Sequence, residues 1–190
     1  MIYLLEPPAF VWCVAGPHTG EDLVDIVAGK RAEIERFGWC LWAYGGTGSA
    51  HPENEVRRLA RDYGAGGSLP LLMPDTETGH TDDGVPFTGY RIDADGPAEA
   101  LPDGMSPVTG GPSSWAFRIT SLRWSDEAVV DVTSYVAPYA QHGAQPLGDY
   151  LKGSHGRACA ARAAAPGAPD ERRVDVLATL QPPYAVFLSR

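Results

Sequence analysis

The sequence predicts an α+β fold, either a mixed β-sheet or a small β-barrel with two main helices packed on it. Three observations lead there. Two segments, around residues 23–37 and 52–63, carry apolar residues at helical spacing; apolar or alternating runs typical of strands surround them; and these runs concentrate in the second half of the chain. With 190 residues, the chain is read as a single α+β domain over 1–190, long enough to bury roughly 70% of the surface its unfolded form exposes.

The opening runs Ile2–Leu5 and Phe10–Ala15 predict short strands, and Pro7 and Pro8 between them forbid a continuous ladder and suggest an edge position. Thr19 has the chemistry of an N-cap, with Asp22 three residues on, and Gly38 that of a C-terminal stop. Between them Leu23, Ile26, Val27, Ile34 and Phe37 form one apolar stripe. The run Trp39-Cys40-Leu41-Trp42-Ala43-Tyr44 is apolar throughout, as expected of a central strand covered on both faces. After the turn Gly45-Gly46-Thr47-Gly48-Ser49, Pro52 suits the first turn of a second helix, with Val56, Leu59, Ala60 and Tyr63 inward and Gly64 at its end.

Leu69–Met73 predicts another short strand. Residues 74–108, dominated by Pro, Gly, Asp and Thr, predict long loops around one strand near Tyr90–Ile92. From Trp115 the pattern alternates, with Trp115, Phe117 and Ile119 on one side and Ala116, Arg118 and Thr120 on the other. Val129–Val136 predicts a further strand, Leu147–Ala165 one or two short helices, Ala-rich around Cys159, and Val174–Leu180 and Tyr184–Leu188 two strands separated by Gln181-Pro182-Pro183.

Composition narrows the function classes. No stretch approaches the roughly 20 apolar residues that cross a bilayer, and no basic region precedes the short apolar run at the N-terminus. No membrane partner and no export signal are expected. Three widely spaced cysteines, Cys13, Cys40 and Cys159, favour reduced thiols and a cytoplasmic location over a disulfide frame or a zinc knuckle. Arginine far exceeds lysine and Ala, Gly and Pro abound, a composition of GC-rich bacterial coding sequence. A net charge of −9 works against generic duplex nucleic-acid binding, since phosphate affinity comes from clustered Lys and Arg. Most of that charge lies between Asp75 and Asp103, where eight carboxylates face Arg91 alone.

The piece Gly29-Lys30-Arg31-Ala32-Glu33-Ile34-Glu35-Arg36, followed by the Leu41–Tyr44 strand, resembles the helix-then-strand opening of ASCH domains, small β-barrels of the PUA-like group. The family motif runs Gly, any, Lys, two of any, Glu, any, Arg. Gly29 and Arg36 fit it, while Arg31 stands at the lysine and Ile34 at the glutamate; sliding by one recovers Lys30 and Glu33 and loses the other two. The resemblance implies a pocket for a nucleobase or nucleoside or, in some members, a small amidohydrolase using a lysine and a carboxylate.

Candidate chemistry gathers after the first apolar strand-turn unit. His51 follows the glycine-rich turn at the end of the Trp39–Tyr44 strand, where layered α/β folds place ligands, and it is the expected general acid or base. Glu53, near it in the first helical turn, is its orienting partner. Lys30 falls in line with the apolar stripe, where it is either desolvated as an electrostatic stabiliser or snorkels at the rim. Trp42 and Tyr44 are candidate stacking walls, with Gly46 and Arg118 as further ligand-binding residues. The glycine turn lacks a Walker lysine or GxGxxG, and Glu53 and Glu55 already complement the helix dipole, which argues against a phosphate there.

The loop from Asp75 to Gly84, with His80, Asp82 and Asp83, has metal-ligand chemistry but not the calcium-loop spacing. HExxH, CxxC and GxSxG are absent, so neither a metal nor a cofactor is expected. Two function classes remain open. One is a small-molecule or nucleotide-directed enzyme, with hydrolysis as one option, and a pocket for a small-molecule or nucleotide-like ligand near His51. The other is a non-catalytic module, either a PUA-like reader of a modified base or an acidic protein-interaction surface. The sequence does not set the oligomeric state.

Overall fold

The structure is a computed structural model that describes residues 2–43, 52–79, 81, 85–107, 115–153, 156–163 and 167–190. Its described strands join one mixed 11-stranded sheet, accompanied by three α-helices. In chain order these are β1 (Tyr3–Leu5), β2 (Ala9–Cys13), α1 (Leu23–Phe37), β3 (Cys40–Ala43), α2 (Pro52–Tyr63) and β4 (Leu69–Met73). There follow β5 (Gly89–Arg91), β6 (Glu99–Ala100), β7 (Trp115–Asp131), β8 (Tyr135–Ala137), β9 (Gln145–Pro146), α3 (Leu147–Lys152), β10 (Arg157–Arg162) and β11 (Glu171–Ser189). The main path runs β1-β7-β11-β4-β2-β10-β8-β9, with β3 on β7 and the β5–β6 pair on β11. Among the described strand pairs, β1–β7 and β2–β4 are parallel.

Short connections force this sheet to curl. From Leu5 to Ala9 the chain reaches at most about 14 Å. In the strand order β1 and β2 lie four spacings apart, about 19 Å if the sheet were flat. The turn Val132–Ser134 likewise joins β7 to β8, strands five spacings apart. The concave side encloses a core drawn from every strand between β1 and β8, including Leu5, Phe10, Trp12, Leu72, Val130, Tyr135, Ala160 and Val174. Phe10 and Tyr135 meet edge-on at 4.8 Å, and the Tyr135 hydroxyl donates to the Pro7 carbonyl at 2.9 Å. The strand path nevertheless stays open among the described residues, so the mixed sheet, and not a closed barrel, is the architecture.

Both main helices lie on the convex side. Leu23, Ile26 and Val27 of α1 and Val56, Leu59 and Ala60 of α2 pack over Val11, Leu71, Phe117, Ile119 and Val176. Gly38 ends α1 in the left-handed conformation (φ 81°), with its N–H bonded to the Ile34 carbonyl. No helix among the described residues is long and apolar enough to cross a membrane.

Several sequence expectations are corrected. Thr19 does not cap α1; Asp22 holds that position, without a side-chain cap bond, and Thr19 sits in the preceding turn at φ 49°. Tyr63 is exposed. β2 is interior, between β4 and β10; of the two opening strands β1 alone lies at an end of the path. β3 is an added strand on β7 and not central; it is buried because Cys40 and Trp42 join the core beneath α1 while Met105, Phe87 and Leu101 cover Leu41 and Ala43. Within the Leu147–Ala165 stretch, α3 is a short helix as expected, but the Ala-rich part is strand β10, where alternate small side chains enter opposite cores and packing overrides helix propensity. Each pair of strands expected at 115–136 and 174–188 is dominated by one long, bulged strand, β7 and β11.

Candidate functional site

Beyond the carboxyl ends of the parallel strands β2 and β4 lie the buried polar residues His18 and Asp175. Beyond the strands the two following segments stay zipped. Ala15 donates to the Pro74 carbonyl (2.9 Å), and its own carbonyl accepts from the Thr76 amide (2.8 Å) and hydroxyl (2.9 Å). Gly16 is needed for this approach, because a Cβ there would sit 2.6 Å from the Thr78 carbonyl oxygen. The start of the acidic segment is thereby fixed, and buried Asp175 accepts from the Asp75 amide at 2.7 Å.

His18 comes next. Residues His18-Thr19-Gly20-Glu21 make a tight turn in which His18 and Glu21 exchange backbone bonds of 3.0 and 2.9 Å. Both central residues have positive φ, 49° and 82°, as in hairpin turns of type I′. The imidazole is 7% exposed, with Nδ1 2.8 Å from the Thr19 hydroxyl.

The first turn of α2 belongs to the same end of the sheet. Arg157 pairs in register with Cys13, and its guanidinium lies 3.8 Å from the Glu55 carboxylate. Two residues earlier, Glu53 is 4% exposed, and its Oε2 has no hydrogen-bond partner among the described residues. Burying a polar atom without a hydrogen bond costs free energy, of order 2–7 kcal/mol by transfer measures. The helix N-terminus offsets part of this through its dipole. An acceptor held in this state is open to a hydrogen bond from a ligand.

The other sequence candidates lie elsewhere. Lys30 is 3% exposed and does not snorkel: its ammonium bonds Glu33 Oε2 at 2.9 Å and the Ser106 carbonyl. Glu33 Oε1 in turn accepts from the Ser106 amide at 3.1 Å, so this group pins the 101–107 segment onto α1. Trp42 packs in the convex-side core. Arg118 projects from the opposite face of the β3–β7 pair, because Trp42 is in register with Phe117. Its guanidinium lies 5.1 Å from the Trp39 ring centre and donates to the Pro182 carbonyl at 3.0 Å. The fold therefore does not gather Lys30, Trp42 and Arg118 around one ligand. His51, Tyr44 and Gly46 lie outside the described residues.

Burial pushes the thiols of Cys13, Cys40 and Cys159 up to about 12, which makes all three inert at neutral pH. Among the described residues no group of His, Cys, Asp or Glu side chains is arranged to hold a metal ion; His80, Asp82 and Asp83 lie outside them. Sequence reasoning passed over His18 and Asp175. The available signal for His18 was its place between Pro17 and Thr19-Gly20, directly after a strand; Asp175 had only its position inside an apolar run. No protein-family model matches the chain, and no curated protein or solved structure matches it.

Proposed function

We propose that the protein is a small-molecule or nucleotide-directed enzyme of hydrolytic type, with its reaction centre at the start of α2. The observation that carries this reading is the Glu53 carboxylate, buried with one oxygen unpartnered among the described residues. In the proposed mechanism the His51 imidazole takes a proton from an attacking water and returns it to the leaving group. Glu53 accepts the other ring N–H and stabilises the imidazolium. The cytoplasmic setting is part of the reading, supported by three free, buried cysteines.

The test combines turnover with stability. Wild type, Glu53→Gln and His51→Ala are screened for hydrolysis of a panel of nucleosides, nucleotides and simple esters and amides. The reading expects activity in wild type alone, with Glu53→Gln melting higher than wild type because a buried charge has been removed. Full turnover in either variant, or a Glu53→Gln protein that melts lower and binds the same ligands, would overturn it.

A second reading is favoured by a separate observation, the curl of the mixed sheet around a concave core. It supports a PUA-like, barrel-related module that binds a modified base without catalysis. That module requires binding to single-stranded or modified nucleic acid that weakens steeply with salt. Absence of such binding at low salt removes it.

A further inference from the structure

The core on the concave side fills only part of the curl. Where β7 and β11 shift register, between Val174 and Val176 and again near Thr179, the side chains facing this side change from apolar to polar. Ala128, Val130 and Val174 give way to Ser121, Arg123 and Thr179. The result is a groove of about 390 Å³, within the range of small-ligand sites, between the β1–β2 connection and strands β4, β7 and β11. Its apolar wall is Leu5, Pro7, Leu72 and Leu177.

The charge in this groove is unbalanced. Glu6, a lining carboxylate, is committed to Arg162 at 2.6 Å. Arg123 has no carboxylate within ion-pair distance among the described residues. It is nevertheless held in place: buried Ser125 lies 3.3 Å from the Tyr3 hydroxyl, to which Arg123 donates at 2.8 Å. Beside it the Ser121 hydroxyl donates to Thr179 Oγ1 at 2.8 Å. An oriented guanidinium with unused donors, next to two hydroxyls and an apolar wall, matches an anionic head on an apolar tail.

We propose that this groove binds a small carboxylic acid with a short apolar chain, its carboxylate on Arg123 and its chain along Leu5, Leu72 and Leu177. The site is separate from the α2 terminus and does not depend on the function proposed there.

Isothermal titration calorimetry with sodium octanoate as the probe, and 1-octanol and octylammonium as comparisons, tests it on the full chain. Octanoate is expected to bind wild type, and about tenfold or more weaker to Arg123→Gln, the loss of a charge-assisted pair. Ser121→Trp, at an exposed position, is expected to block the groove, and Glu53→Gln to leave binding unchanged. Equal octanoate affinity in Arg123→Gln, octylammonium binding as tight as octanoate, or no octanoate binding at millimolar concentration would each overturn the proposal. Circular dichroism on both groove variants confirms that they fold.

Discussion

The two helices on the convex face each bury one charged side chain, and they treat it in opposite ways. On α1, Lys30 meets a carboxylate and a carbonyl, and the same carboxylate returns to the amide of the residue that supplies the carbonyl. Every group in that ring answers another, so its effect is to fasten a loop. On α2, Glu53 is buried as deeply yet leaves an oxygen unanswered among the described residues. Burial of charge alone therefore does not separate the two helices; the unanswered oxygen does.

The largest effect that would break this comparison is at Lys30. Lys30→Met removes the cation while leaving Glu33 partly buried, and it should destabilise the protein by about 3 kcal/mol in urea titrations. The double variant Lys30→Met with Glu33→Gln should recover part of that loss. A single variant as stable as wild type would mean that Lys30 is not the fastening described. Glu53→Gln is the contrasting case, with the opposite sign: a gain of about 1–3 kcal/mol, because a neutral amide is cheaper to bury than a carboxylate. A loss of stability there would erase the difference between the helices.

The sequence reaches part of this contrast. Lys30 stands in line with Leu23, Ile26 and Val27, and helical periodicity alone places it among buried residues. Its partners were out of reach, because Ser106 lies 76 positions away and no local pattern encodes that contact. Glu53 was recognised as a first-turn carboxylate, but its burial depends on how α2 packs between β2, β10 and β11, a long-range result. The same division runs through the fold. Gly38, the β4 run and the extent of α2 follow from local chemistry. The edge position of β3, the Ala-rich strand β10 and the curl are set by strand pairing between distant residues.

Asp131 sharpens the comparison, as a carboxylate satisfied without any cation. Its Oδ1 accepts from the Thr133 amide (3.1 Å) and hydroxyl (2.7 Å) and the Asp170 amide (3.0 Å), tying the β7–β8 turn to the start of β11. Burial pushes its pKa up, but these hydrogen bonds together with the Ser134 hydroxyl outweigh that and leave it below the ordinary value of 3.8. A depressed carboxyl contributes stability that is complete above its unfolded pKa and is lost as pH falls through its folded one. Stability should therefore hold through neutral and mildly acidic pH and decline below about 3.8. Asp131→Asn should cost about 1–2 kcal/mol at pH 7 and flatten this acid limb; an unchanged limb in urea titrations at stepped pH would remove Asp131 as its cause.

The smallest effect is kinetic and uses the cysteines as reporters of the two helices. Burial raises the Cys40 thiol to about 12, and the charges of Lys30 and Glu33 act on it in opposite directions, so Cys40 reports on the α1 fastening. Cys159 is raised to about 12 by burial, modified by Glu55 and Arg157, and so reports on the α2 side. In native wild type, iodoacetamide at pH 8 should label neither thiol until the chain opens, since both the thiolate fraction and access are suppressed. Lys30→Met loosens α1 over β3, so mass spectrometry should find Cys40 labelled before Cys159. If the two thiols gain label together, loss of the Lys30 ring destabilises the sheet as one unit, and the two helices are not independent in how they hold their buried charges.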